Sequence, residues 1–189
     1  METATQTFRV GHAADADWET LTRSCLQQIG APPAGANLGF VYVTDMLDDD
    51  LPLIAAKLKA ETGVDHWVGT IGYGVMVAGQ EYFDKPAMVA MLGVLPDDGF
   101  RILPTIDTPG DELPDDVMNW VGRANPMLGV VHADPRNAYI PDILNSVTDD
   151  TDAYLVGGLT ASRGRQAQIA DRPTEGGVSG VLFADDVMI

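Results

Sequence analysis

The densest glycine cluster in the chain is Gly69-Thr70-Ile71-Gly72-Tyr73-Gly74. A turn that lacks side chains leaves backbone N–H groups free to meet a ligand. A dinucleotide fingerprint would need glycines at its first, third and sixth positions, opening a helix. Counted from Gly72, the sixth position is Val77, and no Lys-Ser/Thr pair of a phosphate loop follows, so nucleotide chemistry is disfavoured. A second turn, Val156-Gly157-Gly158-Leu159, also follows an apolar run. If both preceding strands are parallel and central, their C-terminal ends share one rim, where open α/β sheets bind ligands. The loop beyond carries Ser162, Arg163 and Arg165. Neighbouring arginines would hold a carboxylate in bidentate fashion. The expected ligand-binding set is therefore Thr70, Gly72, Tyr73, Gly74, Gly157, Gly158 and Arg163, with the two turns lining one hollow.

Other reactive groups are sparse. The histidines are His12, His66 and His132, and none has a second at i+3 or i+4, so a zinc hydrolase is poorly supported. His132 stands at the end of an expected strand and is a candidate haem ligand or pH-responsive group. The plainer reading is a satisfied or surface histidine. Cys25 is alone, so it forms no intrachain disulfide, and it falls on the apolar face of a helix. No serine sits in a Gly-x-Ser-x-Gly elbow. No catalytic residue is assigned, and a hydrolase-like enzyme at the same rim is the weaker reading. No resident cofactor is expected, haem being the alternative.

The elements that must position these turns are legible from periodicity and breakers. Phe8–Val10 begins a strand. A helix capped by Asp15 or Asp17 carries Trp18, Leu21, Cys25 and Ile29 on one face and stops at Gly30. Leu38–Thr44 is a buried strand. Asp48, Asp49 and Asp50 read as capping groups for a helix that contains Pro52 and ends at Gly63. Trp67–Thr70 is a strand, followed by a central antiparallel meander of Val75–Ala78, Ala87–Leu95 and Phe100–Ile106. A helix from Asp115 to Arg123, a strand at Leu128–His132, a helix at Ala138–Val147 and a strand at Ala153–Val156 come next. A polar, Gly-rich excursion, Gly157–Gly177, precedes the last strand, Val178–Phe183. The expected fold is a layered α/β (α+β) domain, with a mixed sheet carrying helices on its faces. No linker divides residues 1–189, so a single domain is expected.

Composition bounds the partners. In 189 residues there are 28 Asp+Glu and 11 Lys+Arg, a net charge of -17. That field repels phosphate backbones and anionic lipid, so neither nucleic acid nor a membrane surface is an expected partner. One cysteine, no basic-then-apolar leader and no apolar run long enough to span a bilayer fit a cytoplasmic protein.

The order of segments carries a resemblance. Asn37–Thr44, the acidic-capped helix, His66-Trp-Val-Gly-Thr-Ile-Gly-Tyr-Gly74, Val130-Val-His-Ala-Asp-Pro135 and Tyr154-Leu-Val-Gly-Gly-Leu159 together resemble the N-terminal half of the FIST domain. That family is a sensory module of microbial signal-transduction proteins. The resemblance implies a bacterial module that senses a small ligand, with amino acids as the proposed class, and reports it to a signalling partner. Haem-based nitric-oxide sensing is the alternative it implies. Where the family's first turn often has Cys-Ser, this chain has Thr70-Ile71, so chemistry that needs the thiol is absent. The family normally continues into a C-terminal half. The expectation is therefore either that this sequence is a piece lacking that half or that a partner chain supplies it, and an unpaired strand edge would favour a homo-oligomer.

Overall fold

The computed structural model describes residues 7–188. Strand β1 (Thr7–Ala14) leads into helix α1 (Trp18–Ile29). Asp17 caps α1 by accepting from the Thr20 N–H, and Leu21, Cys25 and Ile29 form its buried face. Next come β2 (Leu38–Thr44), a short 3-10 turn, α2 (Leu51–Thr62) and β3 (His66–Gly72). β2 and β3 run parallel, so the helix between them is the crossover that such pairing requires. Then follow β4 (Gly74–Val77), β5 (Gln80–Phe83), β6 (Ala87–Val94), β7 (Phe100–Ile106) and α3 (Asp115–Ala124). A second crossover is built from β8 (Leu128–Ala133), α4 (Ile140–Thr151) and β9 (Tyr154–Leu159), and its strands are also parallel. β10 (Gln168–Ala170), β11 (Arg172–Thr174) and β12 (Val178–Phe183) complete the described chain.

The strands fall into a six-stranded sheet, β1-β6-β2-β3-β10-β11, a four-stranded sheet, β7-β12-β8-β9, and the β4-β5 hairpin. Leu21, Cys25, Ile54 and Leu58 pack with Val41, Val43, Trp67 and Ile71, so α1 and α2 cover one face of the larger sheet. Alternate residues Phe40 and Tyr42 point the other way, and Phe40 packs with Val181, Leu182 and Phe183 of the smaller sheet. The outer face of that sheet is covered by Ile140, Ile143 and Val147 of α4. The order is thus helices, sheet, sheet, helices. Each sheet buries two faces, which is why β2, β6 and β12 are apolar almost throughout.

The mixed α+β layering expected from the sequence is present. The strands from residue 74 to 106 do not form one meander, however. β4 pairs with β5, β6 enters the large sheet between β1 and β2, and β7 enters the small sheet beside β12. The physical reason is burial. Most of β6 is buried on both faces and so needs neighbours on each side, whereas β5 is largely exposed. The Gly157–Gly177 excursion also holds two short strands, β10 and β11, that polar Gln168 and Arg172 conceal in the sequence. The aspartate triplet is corrected too. Asp50 occupies the cap of α2 without a side-chain cap bond, and Asp48 instead accepts from the Asp49 and Arg165 N–H groups. Among the described residues no helix is long and apolar enough to cross a membrane.

Candidate functional site

The parallel pairs β2–β3 and β8–β9 end on one rim, and the chain leaving β9 stitches them together. The Thr160 N–H donates to the Ala133 carbonyl at 2.8 Å, and the Ala161 N–H donates to the Ile71 carbonyl at 3.1 Å. Adjacent residues therefore bridge the two sheets. Beneath them the Thr70 and Thr160 hydroxyls share a hydrogen bond of 2.7 Å, and Thr70 Oγ1 also donates to the Ala167 carbonyl. Both threonines are buried. At this depth the space between the two expected turns is filled by hydroxyl contact.

The exposed part of the rim lies above that junction. The Arg163 guanidinium stands 5.3 Å from the Tyr73 ring centre, and both side chains are about half exposed. It donates to buried Asp45 at 3.2 Å and to exposed Asp84 at 2.7 Å, while the Arg163 N–H also reaches Asp45. Asp45 follows β2 directly and Asp84 follows β5, so one arginine ties three segments together. A second chain of charges runs alongside. Arg165 pairs with Glu175, Glu175 with Arg136, and Arg136 with Asp134. The Asp134 carboxylate is buried just past β8. Burial pushes it up, but hydrogen bonds from the Arg136 guanidinium, the Arg136 N–H and the Gly176 N–H more than offset this and hold it below the ordinary carboxylate range.

Below the rim the inter-sheet layer is polar. Gln168 donates to the Gly177 carbonyl and accepts from Ser179. His132 faces the larger sheet, where Nε2 and the Tyr42 hydroxyl lie 3.2 Å apart with the rings edge to face. Its Nδ1 is buried without a partner. Desolvation pushes His132 down to about 4 and Tyr42 up to about 12, so both are neutral near pH 7. Haem does not fit at His132. The side chain is 3% exposed, its Nε2 is taken by Tyr42, and strand neighbours Ser179 and Gly158 flank it, leaving no face for a porphyrin. Nδ1 of His12 lies 2.6 Å from the Tyr82 hydroxyl and Nδ1 of His66 lies 2.9 Å from Asp171. Burial raises the Cys25 thiol to about 12, which removes it as a nucleophile.

The structure thus brings together Thr70, Gly72, Tyr73, Gly74 and Arg163 on one side of the rim. Gly157 and Gly158 stand apart. They pair with Val131 and His132 in β9, which is the edge of the smaller sheet and not a central strand. The hollow they line, of about 500 Å³, lies against α4 and includes none of the residues 70–74. Gly157 has a φ of 149°, and a Cβ there would sit 1.8 Å from the Val131 carbonyl oxygen, so its glycine is a requirement of strand packing. The partners Asp45, Asp84, Asp134 and Glu175 are not marked by any motif. Only the position of Asp45 and Asp134 just past apolar strands points to them.

Replacing Thr70 by valine is expected to cost about 1–2 kcal/mol, because the buried Thr160 hydroxyl then lacks its partner. A Thr70→Val/Thr160→Val double variant should recover part of that loss in urea denaturation, since both polar groups are then gone.

No curated protein matches the chain. The family model of the FIST N domain matches residues 37–189, which includes both crossovers and the whole rim. The chain belongs to the FIST family, whose domain is a sensory module of signal transduction.

Proposed function

We propose that the rim binds a small polar metabolite bearing a carboxylate, such as an amino acid, and that occupancy is reported to a signalling partner protein. The single observation that carries this reading is Arg163. Its guanidinium is half exposed, braced against Tyr73, and held from below by buried Asp45. Its outward bond goes to Asp84, whose side chain is 77% exposed. An exposed ion pair of this kind is worth about 1 kcal/mol or less, so a ligand carboxylate can replace Asp84 at small cost. Thr70, Gly72 and Gly74 shape the turn that carries Tyr73. Gly157 and Gly158 stand apart on β9 and enter this reading only as the strand that leads into the Thr160–Arg163 bridge. Exchange of Arg163 partners then releases Asp84, and with it the link from the 157–177 segment to the β4–β5 hairpin, while the β10–β3 pairing and the Thr160 and Ala161 bridges keep the segment itself in place.

Thermal-shift titration with amino acids and small organic acids tests this. A binder raises the melting temperature of the wild-type chain. Arg163→Ala should weaken that binder about tenfold or more; it also lowers the unliganded melt, because the buried Asp45 carboxylate loses its counter-ion, so binding is read as each variant's own shift on ligand addition. Asp84→Asn should tighten it, because the competing carboxylate is gone. Absence of stabilisation by any member of such a panel, or equal affinity in Arg163→Ala, sinks the reading.

A further inference from the structure

We propose that the free edge of β9 pairs antiparallel with β9 of a second copy, centred on Val156, joining two four-stranded sheets into one of eight strands. β9 ends its sheet, with β8 on one side and, among the described residues, no strand on the other. Sheet edges are normally blunted by charge or proline. The other three edges of the two main sheets follow that rule: β1 carries Arg9, β7 carries Arg101 and Pro104, and β11 carries Arg172 and Pro173. β9, Tyr-Leu-Val-Gly-Gly-Leu, carries neither. Its side chains are unusually uncovered, with Tyr154 72%, Val156 37% and Leu159 60% exposed.

A second copy is the occupant that the charges and shapes select. A chain of net charge -17 repels its own copy, so self-association needs a strip without charge. β9 is such a strip, and so is the hollow of about 500 Å³ beside it, where Leu144, Asn145 and Thr148 of α4 face the strand. Three other surface hollows each contain charged residues. A two-fold axis normal to the sheet must pair residues of like facing, as a register centred on Val156 does. That register sets Tyr154 opposite Gly158 and Leu155 opposite Gly157, so each bulky residue covers a glycine. Leu159 then lies opposite Ala153, over the α4 hollow. Backbone pairing supplies the association, and the glycines explain how so large a pair of side chains is admitted. This placement does not depend on Arg163 or on any ligand.

Sedimentation velocity of the 189-residue chain, from about 1 to about 100 µM, should show a species of twice the 20.1 kDa monomer mass. Raising salt should favour it, since screening removes the repulsion. Val156→Lys sets like charges opposite each other and should shift the equilibrium to monomer by about a hundredfold, with an unchanged circular dichroism spectrum. Leu159→Lys, at a position 60% exposed in the monomer, should do the same by placing a charge over the apolar α4 hollow. Val156→Cys should oxidise to a covalent dimer, because directly opposed residues lie within disulfide reach. Cys25 is buried and gives no background. A 20.1 kDa species at every concentration, or a dimer that survives both Val156→Lys and Leu159→Lys and yields no Val156→Cys cross-link, overturns the proposal.

Discussion

Replacing Gly69 by alanine is expected to abolish the folded state. A Cβ at this position would lie 1.7 Å from the Val41 carbonyl oxygen, and that atom is backbone on the adjacent parallel strand, not the movable end of a side chain. β2 and β3 would have to separate at the centre of the large sheet, between the face that packs α1 and α2 and the face that packs the second sheet. Destabilisation of more than about 4 kcal/mol belongs to the few mechanisms of forced overpacking in a core. Domains of this size have only about 5–15 kcal/mol to lose. The check is the melting transition of purified Gly69→Ala, or its absence in the soluble fraction. Gly158→Ala is the contrast, because a Cβ there meets nothing within 4 Å, and it should melt like wild type. A cooperative wild-type melt for Gly69→Ala would show that β2 and β3 are not spaced as described. The pair also separates two meanings of glycine in this chain. Gly69 belongs to the same cluster as Gly72 and Gly74 but is a packing residue, so loss of ligand response in a Gly69 variant would say nothing about binding.

That distinction shows what the sequence makes legible and what it hides. β2 and β12 are read to the residue, since Leu38–Thr44 and Val178–Phe183 are short runs rich in apolar and β-branched residues and bounded by turn residues. The face of α1 is equally plain from the spacing of Leu21, Cys25 and Ile29. These features are local, and local chemistry decides them. Which strand pairs with which is not local. β6 and β7 are separated by a short Pro96–Gly99 turn and still enter different sheets, because burial on both faces is a property of the assembled layers. The rim was partly legible for the same reason. Tyr73 and Arg163 could be singled out by type and position, and the structure does set them against each other. The acceptors of Arg163 lie 118 and 79 positions away, and no spacing rule connects them. Gly157 and Gly158 mimic the first turn in sequence, yet they fall on an edge strand. A crossover fixes only that β9 is parallel to β8, not that anything lies beyond it.

A steep acid limb in stability is the second large effect, and its source is His132. In the unfolded chain this imidazole takes a proton near the ordinary 6.5, whereas burial between the sheets delays protonation to about 4. The unfolded state therefore binds more protons between those values, and stability falls as pH drops through the interval. Above 6.5 the term is absent, and by about pH 4 it has removed about 3 kcal/mol. Asp134 acts in a lower window. Its folded value is depressed, so the stability it contributes is present above the unfolded 3.8 and is lost only as pH falls further. The two contributions can thus be told apart by pH. His132→Phe should cost about 1 kcal/mol at pH 7, because Tyr42 loses its hydrogen bond, but it should flatten the slope between pH 6.5 and 4. The variant is then expected to be more stable than wild type below about pH 5. Urea midpoints measured in half-unit steps across that range decide the matter. An unchanged slope in His132→Phe would move the acid sensitivity elsewhere. A flattened one would place the charge that parts the two sheets directly beneath the rim, where Thr70 and Thr160 join them.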